Sequence, residues 1–389
     1  MSQLAPSPLS PVSQPVLKVL GLGGGGCNAV NRMIELGIGG VEFIAANTDF
    51  QALQNSLAPK KILLGPHVTR GLGAGGRPEV GQAAAEESER EIAKALEGAD
   101  MVFLTAGMGG GTGTGSIPVA AQAARSIHAV TIAIVTTPFN FEMGRRQRNA
   151  AEGLAKLRPN TDTLIAIPND RLLYVTARNI TLEIAFHLAD DVLRQAVQGI
   201  TELITEPGLI NVDFTHVRRL MQLGGGALIS IGQGHGEGKA RRAFDQALHH
   251  PLLDSIPIDQ AAGIIANFTG GEELSLMEVN EVMTEIHGRI SPQAEIVLGA
   301  THDEQMSDRV QVILVITGLG APSLETVMPG IALQKPKPTF RQDIPTQVTE
   351  SIPSLVAHPV ESIPISTVRS TSTDLDLPAF LRRRVRLTN

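Results

Sequence analysis

Residues 107–116 read GMGGGTGTGS, a stretch almost without side chains. Glycine costs backbone entropy, so a run of it serves where the backbone itself must approach something. Gly/Ser/Thr composition also makes flexible linkers, but this run lies between a buried-type strand and a helical pattern, where linkers do not belong. A second glycine run, Gly21-Leu22-Gly23-Gly24-Gly25-Gly26, fits G-x-G-x-x-G, and Asp49 follows it. Alone, that run favours a dinucleotide fold and an NAD-dependent oxidoreductase, although the motif is weak by itself. Two glycine loops at strand ends can instead turn successive backbone N–H groups toward an anion, each backed by a helix N-terminus. The second loop adds the hydroxyls of Thr112 and Thr114. A dinucleotide has no use for it; a polyphosphate does. No GxxxxGK[ST] motif occurs and neither loop carries a lysine, so backbone dipoles and a divalent cation must neutralise the phosphates.

The elements that would hold these loops alternate. VLKVLGLG feeds directly into the first glycine run and a helical pattern, and VEFIAANTD (41–49) reads as a second strand. A helical segment over 79–98 leads to the strand ADMVFLTAGM, the second glycine run, a helix over SIPVAAQAARSIH and the strand AVTIAIVTTP. Strands alternating with helices predict a parallel α/β sheet, in which ligands bind at the carboxyl ends of strands. Both glycine runs sit there. After residue 180 a long helical pattern places Leu188, Val192, Ile200, Leu203 and Ile204 on one face, and Pro207-Gly208 stops it. ALISIGQG, GIIANFTGG, EIVLGAT and RVQVILVITGLG then read as strands of a second, α+β region.

The chain has 389 residues, enough for two domains plus tails. Its hydrophobic content of 42% is that of a globular protein, and a net charge of −7 gives no basic footprint for nucleic acid. A single cysteine, Cys27, excludes an internal disulfide and suits a reducing compartment. No apolar run approaches the ~20 residues a membrane helix needs, and the N-terminal segment lacks a signal-peptide core; a cytoplasmic protein is expected. The ten histidines show no metal spacing.

The segments GLGGGGCNAVNRM, NTDFQAL, GLGAGGRPEVG, GMGGGTGTGS, PFNFE, IPNDRLL, ADDVLRQAVQGI, NVDF and DLDLPAFLRRR together resemble the FtsZ family of bacterial division GTPases, of the tubulin superfamily. The resemblance runs from about residue 16 to 320 and returns at the tail. It implies a Rossmann-type GTP-binding domain (16–180) after an N-terminal tail (1–15), and a connecting helix (181–208). A catalytic loop with its following helix (209–225), an α+β domain (226–320), a linker (321–373) and a partner-binding peptide (374–389) complete the expected order. It also implies GTP or GDP with Mg²⁺. Gly24, Gly25, Gly26, Cys27 and Asn28 would hold the first phosphates; Gly110, Gly111, Thr112, Gly113 and Thr114 would wrap the α- and β-phosphates; Gly73, Ala74 and Gly75 would sense the γ-phosphate. Glu142 and Arg146 match positions that hold ribose and phosphate, or form an ordinary i,i+4 helix pair. Cys27 itself reads as a small packing residue.

Phe186 and Asp190 share a helix face, so a ring could stack on a base while a carboxylate meets its edge. Guanine presents N1–H and N2–H₂ as adjacent donors and adenine does not, so a carboxylate there selects guanine. A core aromatic with a solvated acid is the plainer alternative. Asp191 could share the role, and Asn169 is a further candidate for the base edge.

None of these residues is an obvious base for water. The resemblance implies that the loop Gly208–His216 completes the pocket of the next subunit, in head-to-tail filaments that do not close. Asn211 and Asp213 would act in trans, Asp213 by positioning the water and nearby cation. His216 stands where a second carboxylate is expected. An imidazole supplies no second negative charge, so the expectation is slower hydrolysis, depressed further by acid. Met143 and Arg77 are smaller departures, replacing glycine and asparagine; Arg77 reads as a solvated cation. At the tail, Leu375, Leu377, Phe380 and Leu381 beside Arg382 and Arg383 form a peptide on a tether spanning roughly 35–40 Å. It could order in a groove of a membrane-tethering or regulatory division protein, without direct insertion into lipid. The expected function is a GTP-hydrolysing, self-polymerising division-ring protein at the inner face of the membrane. The alternative is a weakly active paralogue that copolymerises with an intact relative.

Overall fold

The computed structural model describes residues 14–142, 144–173, 180–205, 208–210, 212–249 and 260–319. Met143, Asn211, most of the N-terminal tail and everything after residue 319, including the expected linker and terminal peptide, lie outside the described residues.

The parallel sheet predicted from the alternation is present and extends through the second region. Strands β1 (Leu17–Leu22), β2 (Val41–Asn47), β3 (Lys60–Leu63), β4 (Met101–Gly107), β5 (Val130–Thr137), β6 (Thr163–Pro168), β7 (Gly226–His235), β8 (Gly263–Gly270), β9 (Glu295–His302) and β10 (Arg309–Leu319) form one ten-stranded sheet. Their order is β3-β2-β1-β4-β5-β6-β7-β10-β8-β9. β1 to β6 are all parallel. The seam between the halves is thin: β6 and β7 pair only through Leu164↔Gly226 and Ile165↔Ala227. Beyond it β10 runs antiparallel to both β7 and β8, while β8 and β9 are parallel.

Both faces of the parallel half are covered, which explains why β1, β4 and β5 read as continuous apolar runs rather than alternating ones. Adjacent residues serve opposite layers. Val19 joins the core under α1 (Gly23–Glu35), α9 (Leu182–Thr205) and α10 (Phe214–Gln222); Leu20 joins the core under α4 (Pro78–Glu87), α5 (Glu89–Leu96), α6 (Thr112–Ser126) and α7 (Arg145–Leu157). The first of these cores continues through α9 to Ile265, Val297, Ile313 and Val315, so the long helix is bonded hydrophobically to both halves. A third core lies under α11 (Lys239–Leu248) and α12 (Leu276–Arg289).

Three local features differ from the expected elements. The helix predicted over 79–98 divides at Ser88, whose hydroxyl accepts from Gly65 N–H at 3.0 Å and lies 3.4 Å from Leu63 O. A tertiary partner there replaces helix continuity. α6 starts at Thr112, inside the glycine run, four residues earlier than its apolar pattern. Finally, Glu142 and Arg146 do not share a helix: Glu142 ends a short 3₁₀ turn (Asn140–Glu142) and Arg146 lies in α7. Between them Gly144 has φ +74°, a conformation that glycine adopts without strain. The remaining short helices are α2 (Phe50–Gln54), α3 (Pro66–Thr69) and α8 (Asn169–Leu172).

Candidate functional site

The carboxyl ends of β1, β4, β5 and β6 open into one cleft with about 1030 Å³ of empty space, continuous with solvent. Gly24, Gly25, Asn28, Gly110, Gly111, Thr112, Gly113, Glu142, Arg146, Asn169, Phe186 and Asp190 all line it. One wall is therefore assembled from five separated segments of chain.

Its floor is backbone. α1 and α6 both begin here, and neither has an acidic residue in its first turn or a side-chain cap on its N–H groups. The uncapped donors and the positive ends of two helix dipoles converge on the same space, which suits a multiply charged anion. The loops touch: a Cβ on Gly23 (φ +69°) would fall 2.7 Å from Gly113 N, and one on Gly25 would fall 3.1 Å from Gly107 N. Other glycines answer to packing. A Cβ on Gly26 would lie 2.3 Å from Thr105 O and one on Gly21 2.4 Å from Gly26 O, so α1 cannot approach the sheet this closely with any other residue. Gly24 and Gly110 are different. A Cβ there would meet no protein atom within 4 Å. No protein neighbour demands glycine at these two positions, and both face the empty cleft.

The opposite end is built of side chains. Phe139, fully buried, stacks on Phe141 at 5.1 Å and meets Phe186 edge-on at 5.7 Å, so Phe186 is held while remaining partly exposed to the cleft. Burial pushes the Asp190 carboxyl up to about 7, against the opposing pull of His187 and Arg32. Asn169, at the start of α8, is buried with its Oδ1 unpartnered, although buried acceptors are normally satisfied. A stacking ring, a titratable carboxylate and a buried carboxamide thus border one volume, an arrangement for a planar ring with donors on its edge. Glu142 is occupied on both oxygens: Oε1 accepts from Phe139 N–H at 2.9 Å and Oε2 pairs with Arg146. The expected i,i+4 pair exists, then, but across a break between helices.

Several predicted residues do not line the cleft. Gly26 packs on the sheet. Cys27 is buried, its thiol pushed up to about 12 by burial, with Sγ 3.7 Å from Ala46 O; it is a packing residue. Thr114 Oγ1 accepts from Gly109 N–H at 2.8 Å and so braces the second loop from behind. Asp191 turns toward Arg194 (2.7 Å) and Gln195 along its own helix. Gly73, Ala74 and Gly75 stand at the rim, where Ala74 packs on Gly111. Asp213 and His216 are exposed at the start of α10, apart from the cleft. Asp213 caps that helix through Thr215 N–H at 2.9 Å, and that bond chiefly, with a smaller pull from His216, holds its carboxyl below the usual range. Conversely, Thr136, Thr137, Pro138 and Ala189 line the cleft although no motif pointed to them, as do Gly107 and Met108 at the head of the second glycine run. The carboxyl-end rule applied to β5 would have found Thr136 to Pro138. Asn149, which donates to both Gly76 O and Gly109 O at 3.2 Å, left no signal in the sequence.

Among the described residues no group of three or more His, Cys, Asp or Glu could hold a metal ion, and no helix is long and apolar enough to cross a membrane.

Known proteins share this arrangement. The family model described as "Tubulin/FtsZ family, GTPase domain" matches residues 16–177, and "FtsZ family, C-terminal domain" matches 225–320. The chain is 49% identical over 309 residues to cell division protein FtsZ 1 of Thermococcus kodakarensis, covering 79% of this chain and 82% of that protein. Cell division protein FtsZ 1 of Archaeoglobus fulgidus is 48% identical over 309 residues, covering 79% of this chain and 83% of that one. Among solved structures, an empty FtsZ dimer of M. jannaschii superposes with a TM-score of 0.77 at 45% identity, covering 84% of this chain and 96% of that chain. CetZ2 of Haloferax volcanii, solved as a GTPγS-bound protofilament, has a TM-score of 0.69 at 20% identity over 80% of this chain and 96% of that chain, a likeness of fold alone. The chain belongs to the FtsZ family of tubulin-like GTPases.

Proposed function

We propose that this GTPase binds GTP along the cleft and hydrolyses it within head-to-tail filaments that serve cell division. The carrying observation is the open space over Gly24 and Gly110 between two uncapped helix N-termini, room that only a ligand would use. The triphosphate lies over Gly24, Gly25, Asn28 and Gly110 to Gly113, with Gly26, Cys27 and Thr114 shaping the loops behind and Gly73 to Gly75 closing the rim. Guanine lies on Phe186, its N1–H and N2–H₂ donating to Asp190 and its edge reaching Asn169. Arg146, steadied by Glu142, serves ribose and phosphate. Mg²⁺ bound through the nucleotide would supply charge neutralisation for the phosphates.

Asp213, His216 and Asn211 lie on the loop and helix start that a neighbouring copy would present to this cleft. An exposed, fully ionised Asp213 can orient water there, positioning being what phosphoryl transfer chiefly asks of protein. His216 brings no second negative charge, which makes this a slow member of its family. The terminal peptide around Leu375, Leu377, Phe380, Leu381, Arg382 and Arg383 is read as the tether to membrane-attached and regulatory division proteins, bringing filaments to the inner membrane face. GTP turnover followed against protein concentration, with light scattering in the same samples, tests the shared site. Turnover and scattering should appear together above one critical concentration, and His216→Asp should raise the rate severalfold. Turnover strictly proportional to dilute protein would remove the trans mechanism. Filaments without turnover would make this chain a copolymerising partner rather than an independent GTPase.

A further inference from the structure

The cleft has a direction. Asn169, Phe186 and Asp190 sit at its β5–β6 end; the glycine loops follow β1 and β4; and the segment Gly71–Arg77 closes the β2 end, where Gly73 N–H donates to Thr48 O at 3.1 Å and Asp49 pairs with Leu72. A nucleotide laid along it points its terminal phosphate at that segment. Thr48 Oγ1 and Thr112 Oγ1, 2.6 Å apart, tie the same end together.

The later part of the segment is clamped to the second glycine loop. A Cβ on Gly111 would lie 2.8 Å from Arg77 N and 3.1 Å from Arg77 O, while Asn149 bridges Gly76 O and Gly109 O. Arg77 N–H donates to Ala74 O at 3.1 Å, and its carbonyl accepts from Val80 and Gly81 at 3.2 Å. Its backbone is thus fully committed against a cleft-lining glycine. Its side chain is not: Arg77 is exposed and no ion pair engages it among the described residues. Among the described residues Arg146 is the only lysine or arginine that lines the cleft, and Glu142 already neutralises it. A triphosphate therefore finds no uncommitted cation in the cleft lining among the described residues, while Arg77 is rooted beside Gly111 at the end where its last phosphate arrives.

We propose that Arg77 is a nucleotide-state residue, its guanidinium donating to the oxygens of the terminal phosphate of a nucleoside triphosphate and losing that partner in the diphosphate. This rests on the GTP reading of the cleft. Guanidinium to phosphate is a strong, forked, charge-assisted pairing that lysine matches only as a point charge. Because the pairing exists in one nucleotide state only, it favours GTP over GDP and makes the rim segment sense hydrolysis.

The test measures GTPγS and GDP affinities by calorimetry on dilute full-length chain, for the natural protein, Arg77→Ala and Arg77→Lys. The expected result for Arg77→Ala is GTPγS binding weakened on the order of 10- to 100-fold, GDP binding within about twofold of the natural protein, and partial recovery of GTPγS affinity in Arg77→Lys. Equal weakening of both nucleotides would reduce Arg77 to a loop-shaping residue, and no change in either would make it a solvated cation; each result overturns the inference while leaving the GTP site standing. Failure of the natural protein to bind either nucleotide would overturn the GTP reading and this inference with it.

Discussion

The two ends of the cleft are built of different groups. The end proposed for the phosphates is backbone: Gly24, Gly25 and Gly110 to Gly113 contribute N–H groups and, Thr112 apart, an absence of side chains. The end proposed for the base is side chain: Phe186 held by Phe139, an Asp190 carboxyl raised to about 7 and a buried Asn169. Backbone recognition is indifferent to pH and to most substitutions, but it fails as soon as volume intrudes. Side-chain recognition can be removed one group at a time, and it titrates. On the proposed reading one ligand is held by an end that responds sharply to volume and by another that responds gradually to chemistry.

The largest expected effect separates two glycines of the backbone end. Gly110→Val places its branch in open space, so thermal unfolding should stay where it is while GTP and GDP binding fall at least 100-fold, with the lost phosphate contacts each of a charge-assisted kind. Gly26→Ala should do the reverse first, destabilising the fold by about 1–3 kcal/mol because its methyl meets Thr105 O. Calorimetry with melting curves on both variants decides it. If Gly110→Val melts early and Gly26→Ala does not, the division into packing and ligand glycines is wrong.

Next in size is Asp190→Asn. It should weaken GTP on the order of 10–100-fold and narrow the preference for GTP over ITP, which lacks the 2-amino group. Equal losses for the two nucleotides would place Asp190 away from the guanine edge.

The smallest effect is in pH. Because burial raises the Asp190 carboxyl to about 7 and the guanine donors require it ionised, binding should be full above that value and fall below it, by up to about tenfold per unit. The pull of the flanking His187 and Arg32 toward the ionised form is already contained in that value. A flat GDP affinity between neutral and mildly acidic buffer would show that Asp190 is already ionised, whereas the Asp190→Asn variant should be flat in either case.

Much of this was legible in the residues because it is local. Strand-to-glycine-to-helix order, the i,i+4 spacing of Phe186 and Asp190 and the stop after Thr205 are written within short windows of chain. The break at Ser88 was not, because the hydroxyl that divides α4 from α5 answers to Gly65 and Leu63 on another element. Nor was the hinge between Glu142 and Arg146: spacing alone says helix, and a turn whose Glu142 accepts from Phe139 says otherwise.

By itself, the sequence determined that two side-chain-free loops would stand at strand ends and that a carboxylate and a ring would share one helix face, because backbone stereochemistry and helix period act over a few residues. Only the tertiary structure decided that those loops meet, which glycines answer to protein and which to empty space, that Cys27, Thr114 and Asp191 turn away, and that the Arg77 backbone lies against Gly111. These depend on strand order, β2-β1-β4-β5-β6, which brings residues far apart in the chain to one edge of a sheet. Strand order is selected by burial over the whole fold, and no local window of sequence carries it.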